Sequence, residues 1–290
     1  MHRFLLHNDQ VLEASARTLA AGQVGLLAGW GVFSTLRVFD GVPFEWERHW
    51  ERMKRDAAHI RVPFPADPAW LETQLHRLLE ANQAYNATLR VYVVRNKGGL
   101  YEGPGQTRDF DVIAFTVDVA PWPESVKLGV AHNARHAASE FSGTKFISWA
   151  ENLTRYERAR EQGFDEVILM NERGEVSECT SANVFVVNGS HVWTPPLAAG
   201  CLPGVTRAVL LEEIEIPGLD IAERTLTLDD LEIADEVCIT SSTRALLPAS
   251  RIEGVQIPGG RAVCDRLQRA LAEYAAAYTA ARRKAAPVRT

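Results

Sequence analysis

Two prolines bracket Trp122 in the run Ala120-Pro121-Trp122-Pro123, where a strand-like stretch from Val112 to Val119 stops. Proline fixes its own φ and donates no ladder hydrogen bond, so a central strand cannot continue through it. The chain is expected to divide there. Its 290 residues suffice for two cores, since domains cluster at roughly 100–150 residues. The expected organisation is a smaller N-terminal unit over 1–120, a connection over 121–133 and a larger C-terminal unit over 134–290.

From Glu47 to Arg61 the apolar positions Trp50, Met53, Ala57 and Ile60 recur at steps of three and four, which predicts a helix with one buried stripe. A second helix is expected to start with Asp67 as N-cap and Pro68 in its first turn, running through Leu71, Leu75, Leu78 and Leu79. Around them lie runs of branched and aromatic residues, Gly31 to Phe39, Leu89 to Arg95 and Val112 to Val119, which read as strands. The first half is therefore α+β. Beyond the prolines the expected elements are strands at Val126 to Ala131, Glu166 to Met170, Val184 to Val187 and Val237 to Thr240. Helices are expected from Trp149 to Gln162, from Thr206, and from Arg261 to Lys284, with a fraying Ala- and Arg-rich end after Tyr278.

The formal charge of −6 argues against a nucleic-acid partner, whose phosphates call for surplus Lys and Arg. No apolar run approaches the roughly 20 residues that cross a bilayer, and the N-terminus lacks a signal-peptide pattern. A cytoplasmic protein with no membrane partner is expected. Cys179, Cys201, Cys238 and Cys264 show no paired spacing and the histidines no ligand spacing, so buried thiols and no metal are expected.

Five lysines occur, at 54, 97, 127, 145 and 284. Lys145 differs from the others: it lies in Phe141-Ser142-Gly143-Thr144-Lys145-Phe146-Ile147-Ser148-Trp149, among small and apolar groups. Desolvation there favours the neutral, nucleophilic amine. A second constellation is Glu178, followed by Cys179-Thr180-Ser181-Ala182-Asn183-Val184-Phe185. A third, Leu202-Pro203-Gly204-Val205-Thr206-Arg207, opens a helix whose free N–H groups suit a phosphate. A fourth is the hydroxyl cluster Thr240-Ser241-Ser242-Thr243. Each alone has an ordinary explanation as a cap or turn.

In this order, with Thr194-Pro195-Pro196-Leu197, Gly31-Val32-Phe33-Ser34-Thr35-Leu36-Arg37 and His49-Trp50-Glu51-Arg52, these motifs resemble the fold-type IV pyridoxal-phosphate enzymes. That family holds branched-chain aminotransferases, D-amino acid aminotransferases and aminodeoxychorismate lyases. The resemblance runs from about Gly29 to Pro248. It implies a two-domain α+β fold, with a smaller N-terminal α/β sandwich and a larger C-terminal cofactor-binding domain, usually assembled as a homodimer.

By that resemblance, Lys145 would form the Schiff base with pyridoxal 5'-phosphate and shuttle the substrate proton, and Glu178 would pair with the pyridine nitrogen. Arg52, Val205, Thr206 and Ser242 would hold the phosphate. Phe33, Arg37, Arg95, Thr243 and Arg244 would face the substrate, with Arg95 and Arg244 as carboxylate partners. The family's tyrosine or asparagine four or five residues past the lysine is replaced here by Trp149 and Ala150, which leaves the phenolic oxygen without an expected partner. The implied reaction is amino transfer between an amino acid, by default an aliphatic or branched-chain L-amino acid, and a 2-oxo acid. The alternatives are aminodeoxychorismate lyase, to which Ser34-Thr35 and Arg95 are similar, and D-amino acid aminotransferase.

Overall fold

The computed structural model describes residues 1–20, 22–99, 102–103 and 107–285. The chain forms two compact units: the first comprises Met1–Ala120, Thr144–Trp149 and the chain from Ala276, the second Pro121–Gly143 and Ala150–Ala275.

In the first unit, β1 (Phe4–His7), β2 (Gln10–Glu13), β3 (Gly31–Phe39), β4 (Val42–Pro43), β5 (Ala87–Arg95) and β6 (Phe110–Val117) form one sheet, with the short helix α1 (Val24–Ala28) ahead of β3 in the chain. Its order is β2-β1-β6-β5-β3-β4, antiparallel throughout. The alternating pattern of β3 decides the two faces. Val32, Leu36 and Val38 join Leu89, Val91, Val93, Val112 and Ala114 in a buried core with the stripes of α2 (Trp46–His59) and α3 (Pro68–Asn82). Fully burying one such side chain stabilises the fold by roughly 1.5–3 kcal/mol. The expected N-cap of α3 is present: the Asp67 carboxylate accepts from Ala69 N at 2.9 Å, with Pro68 in the first turn.

The opposite face is aromatic. Phe33, Tyr92 and Ile113 lie opposite one another across β3, β5 and β6, as do Thr35, Arg90 and Phe115. The Phe33 and Tyr92 rings stack at 5.4 Å, and Tyr92 and Phe115 at 5.8 Å. Because β4 has only two residues, the start of β3 is left for another partner. Phe146 bridges Val32, Phe33 N donates to Lys145 O at 3.2 Å, and Ile147 N donates to Gly31 O at 3.0 Å.

In the second unit the strands are β7 (Val126–Arg135), β8 (Glu166–Asn171), β9 (Val176–Cys179), β10 (Asn183–Asn188), β11 (His191–Thr194), β12 (Asp220–Glu223), β13 (Glu236–Ser241) and β14 (Ala245–Ile252). They form one sheet in the order β12-β11-β10-β13-β14-β7-β8-β9. Helix α4 (Ala150–Glu161) lies between the parallel strands β7 and β8. Cys179 N donates to Ala182 O at 2.7 Å, so a tight turn joins the terminal strand β9 to the interior strand β10 and the sheet must curl. Helices α5 (Val205–Glu212), α6 (Leu228–Glu232) and α7 (Ala262–Ala285) complete the unit, with the last residues of α7 belonging to the first unit.

Two expectations need correcting. The stretch 121–133 is no free connection, because it holds most of β7, a branched run buried by its parallel neighbours β8 and β14. Residues 144–149 and those from 276 onward belong to the first unit: backbone pairing with β3 captures the former, and packing of Tyr278 on Phe44 at 5.4 Å and its bond to Glu47 at 2.7 Å capture the latter. Residues 286–290 of the expected fraying end lie outside the described residues. No described helix is long and apolar enough to cross a membrane, and all four cysteines are buried free thiols.

Candidate functional site

The first unit brings Lys145, Phe33, Trp149 and Arg52 into one region. Antiparallel pairing with β3 puts Lys145 on the aromatic face of the sheet, and its Nζ lies 4.5 Å from the centre of the Phe33 ring and 5.7 Å from that of Trp149. Its backbone N–H donates to Asp56 Oδ2 at 3.1 Å. The same Phe33 ring carries a second cation, Arg90, at 5.2 Å, which also lies over Tyr92 at 5.3 Å. Arg90 Nε is buried with no hydrogen-bond partner among the described residues.

The i,i+3 spacing of His49 and Arg52 on α2 places both against Ser34. Arg52 Nη2 donates to Ser34 Oγ at 2.6 Å, and Ser34 Oγ lies 2.7 Å from His49 Nδ1. Burial pulls the Arg52 guanidinium down to about 10, while Asp56 pulls it back, so it stays charged at neutral pH. Burial first, then the charges of Arg52 and Lys145, hold His49 well below the ordinary imidazole value of 6.5.

His49 is therefore neutral in the fold. An unfolded chain would protonate it as the pH falls below 6.5, so the stability it contributes is present above that value and lost below it. His49→Gln is expected to flatten this part of the acid limb. Denaturant midpoints between pH 7.5 and 5 check this, and an equally steep loss in the variant rejects it.

In the second unit Glu178, the penultimate residue of β9, lies beside Arg135, the last residue of β7. Glu178 Oε1 accepts from Arg135 Nε at 3.0 Å and Oε2 from Leu202 N at 3.0 Å. Two donors, one of them charged, suit an ionised carboxylate. The Asn183 amide donates to Leu202 O at 2.9 Å, and a Cβ on Gly204 would stand only 2.1 Å from Asn183 Oδ1. Glycine is thus required where α5 begins, and no side chain caps that helix. Val205 and Thr206 are buried in its first turn, while Ser242 is half-buried in the turn between β13 and β14. Burial, reinforced by Glu178, pushes the neighbouring Cys201 thiol up to about 12, so it stays protonated.

The three arginines expected at the substrate each have partners within the protein. Arg37 donates to the carbonyls of Val38 and Ala87 and rests over Phe39. Arg95 donates to Lys97 O at 2.6 Å and Arg61 O at 2.7 Å, over the Trp30 ring. Arg244 pairs with buried Glu166 at 3.2 Å and donates to Ser181 Oγ at 2.8 Å. Beside it, Thr243 O accepts from Trp122 Nε1 at 3.0 Å. Conversely, Arg135 and Arg90 were not singled out by sequence; only the period-two pattern of β5, which puts Arg90 and Tyr92 on one face, could have pointed to the latter.

Residues 31–252 match the family model for class IV aminotransferases. A D-alanine aminotransferase of Bacillus licheniformis is 30% identical over 260 residues, covering 88% of this chain and 90% of the relative. An aminodeoxychorismate lyase of Bacillus subtilis is 30% identical over 255 residues, covering 86% of each. The solved branched-chain amino acid aminotransferase of Escherichia coli superposes with a TM-score of 0.84 at 22% identity, covering 93% of each chain.

Proposed function

Because the chain belongs to the class IV aminotransferase family of pyridoxal-phosphate-dependent enzymes, we propose that it moves the amino group of an aliphatic monocarboxylic amino acid onto a 2-oxo acid. The observation that carries this reading is the Lys145 amine over an aromatic floor that it shares with one guanidinium, Arg90. One guanidinium beside the amine, among apolar rings, suits a single carboxylate and an uncharged side chain.

The residues fit the cofactor. The N-terminus of α5 has no side-chain cap, leaving the N–H groups of Val205 and Thr206 for phosphate oxygens. In the second unit the Ser242 hydroxyl adds a donor suited to the same anion, and in the first unit buried Arg52 carries a charge suited to an anion. When bound, pyridoxal phosphate supplies the aldehyde and the electron-withdrawing ring.

The chain's own groups do the rest. Lys145 Nζ would hold the cofactor by its aldehyde carbon and, when free, would carry the proton taken from the substrate's α-carbon. Glu178, held by Arg135 and Leu202 N, keeps a proton on the ring nitrogen. Phe33 and Trp149 exclude water from the amine, and Arg90 orients the substrate carboxylate.

A second reading, elimination from aminodeoxychorismate to 4-aminobenzoate and pyruvate, is supported by the Bacillus subtilis relative. A screen of L- and D-amino donors with and without an oxo-acid acceptor separates the two. Transamination predicts bleaching of the cofactor absorbance by aliphatic donors and strict dependence on an acceptor. Pyruvate released from aminodeoxychorismate without an acceptor would replace it, and the hand of the accepted donor sets the stereochemistry.

A further inference from the structure

Seven residues past Lys145, in the first turn of α4, Asn152 uses both ends of its amide. Oδ1 accepts from Arg135 Nη2 at 3.0 Å, and Nδ2 donates to Thr180 O at 2.7 Å. Exchanging oxygen and nitrogen would set an NH2 against a guanidinium and an oxygen against a carbonyl. The partners therefore fix the amide's orientation.

Arg135 is correspondingly tied. Its Nε donates to Glu178 Oε1, its Nη2 to Asn152 and its Nη1 to Ala134 O at 3.3 Å. A guanidinium is planar, so anchoring Nη2 sets the plane in which Nε–H points. The turn after Glu178 is clamped from its other side as well: the hydroxyls of Thr180 and Ser181 donate to Glu166, which Arg244 neutralises.

We propose that Asn152 is a positioning residue that aims Arg135 at Glu178 and thereby fixes the carboxylate that faces the cofactor's ring nitrogen. The inference rests on the role given above to Glu178. It also accounts for an asparagine on a half-exposed helix turn that solvent could satisfy at no cost to the fold.

The test reads the Arg135 Nε–H directly by 15N NMR in the full chain, with and without pyridoxal phosphate, beside the cofactor's dissociation constant. In Asn152→Ala the Nε–H is expected to exchange with water at least about tenfold faster, and pyridoxal phosphate to bind about tenfold more weakly, the scale of one lost hydrogen bond to a charged group. Asn152→Ser, whose shorter side chain falls short of Arg135 Nη2, is expected to show the same faster exchange. Exchange unchanged in Asn152→Ala overturns the inference. If that variant does not fold, unchanged exchange in folded Asn152→Ser overturns it equally. A Glu178→Gln chain with unaltered cofactor affinity and spectrum would instead sink the role of Glu178, which separates the two failures.

Discussion

Lys145→Ala is expected to lower turnover by at least about 10³-fold, since on the function proposed above one amine serves as both covalent anchor and proton carrier. The main-chain pairing of the segment should persist. The backbone bonds of residue 145 to Phe33 N and Asp56 Oδ2 do not involve the side chain. The lost contacts include those with the Phe33 and Trp149 rings, each worth about 0.5–1 kcal/mol at exposed sites and about 2 when desolvated. Activity and stability therefore part company in this variant. Borohydride reduction of the parent followed by peptide mass analysis should place the cofactor on the peptide containing Lys145. Turnover within tenfold of the parent, or an adduct on another lysine, defeats the assignment.

The strands and helices with strong periodicity were legible because their own burial decides them. Gly31–Phe39 was read to the residue, and α4 and β7 to within a few residues at their ends. What escaped were four-residue strands such as β1 and β2. Their hairpin turns on Asn8, with φ at 57°, followed by Asp9, and an Asn-Asp turn between apolar pairs is a weak local signal. The return of 144–149 to the first sheet could not be read either. It depends on β4 being too short to cover β3, a fact of pairing with no periodic trace.

The arginines show the same limit at the site. A lysine among few lysines and a glutamate before small polar residues carry their own context, so Lys145 and Glu178 stood out. An arginine's role is set by whichever group the fold brings to its fork. Arg37, Arg95 and Arg244 sit next to motif residues yet spend their donors on carbonyls, on Glu166 and on Ser181. Arg135 meets Glu178 across 43 positions of chain, and no spacing rule connects them.

On the role proposed above for Glu178, Glu178→Gln is expected to lower turnover by about 10²–10³-fold, the usual scale for removing one preorganised electrostatic partner of a reacting group. A neutral amide keeps the shape of the side chain but cannot hold a proton on the ring nitrogen. The same change leaves the half-enclosed Arg135 facing an amide in place of a carboxylate. Because the pair is largely shielded, at 17% and 12% side-chain exposure, stability should fall by roughly 1–3 kcal/mol. The double variant Arg135→Gln with Glu178→Gln tests whether the two losses have separate causes. Removing the orphaned charge should restore part of the stability, because two neutral amides can be satisfied where one stranded cation is not. Turnover should stay low, since neither amide supplies the anion. Denaturant unfolding of the cofactor-free chain, measured beside turnover on the best donor, reads both quantities. Activity recovering together with stability in the double variant would mean that Glu178 acts only as a partner for Arg135.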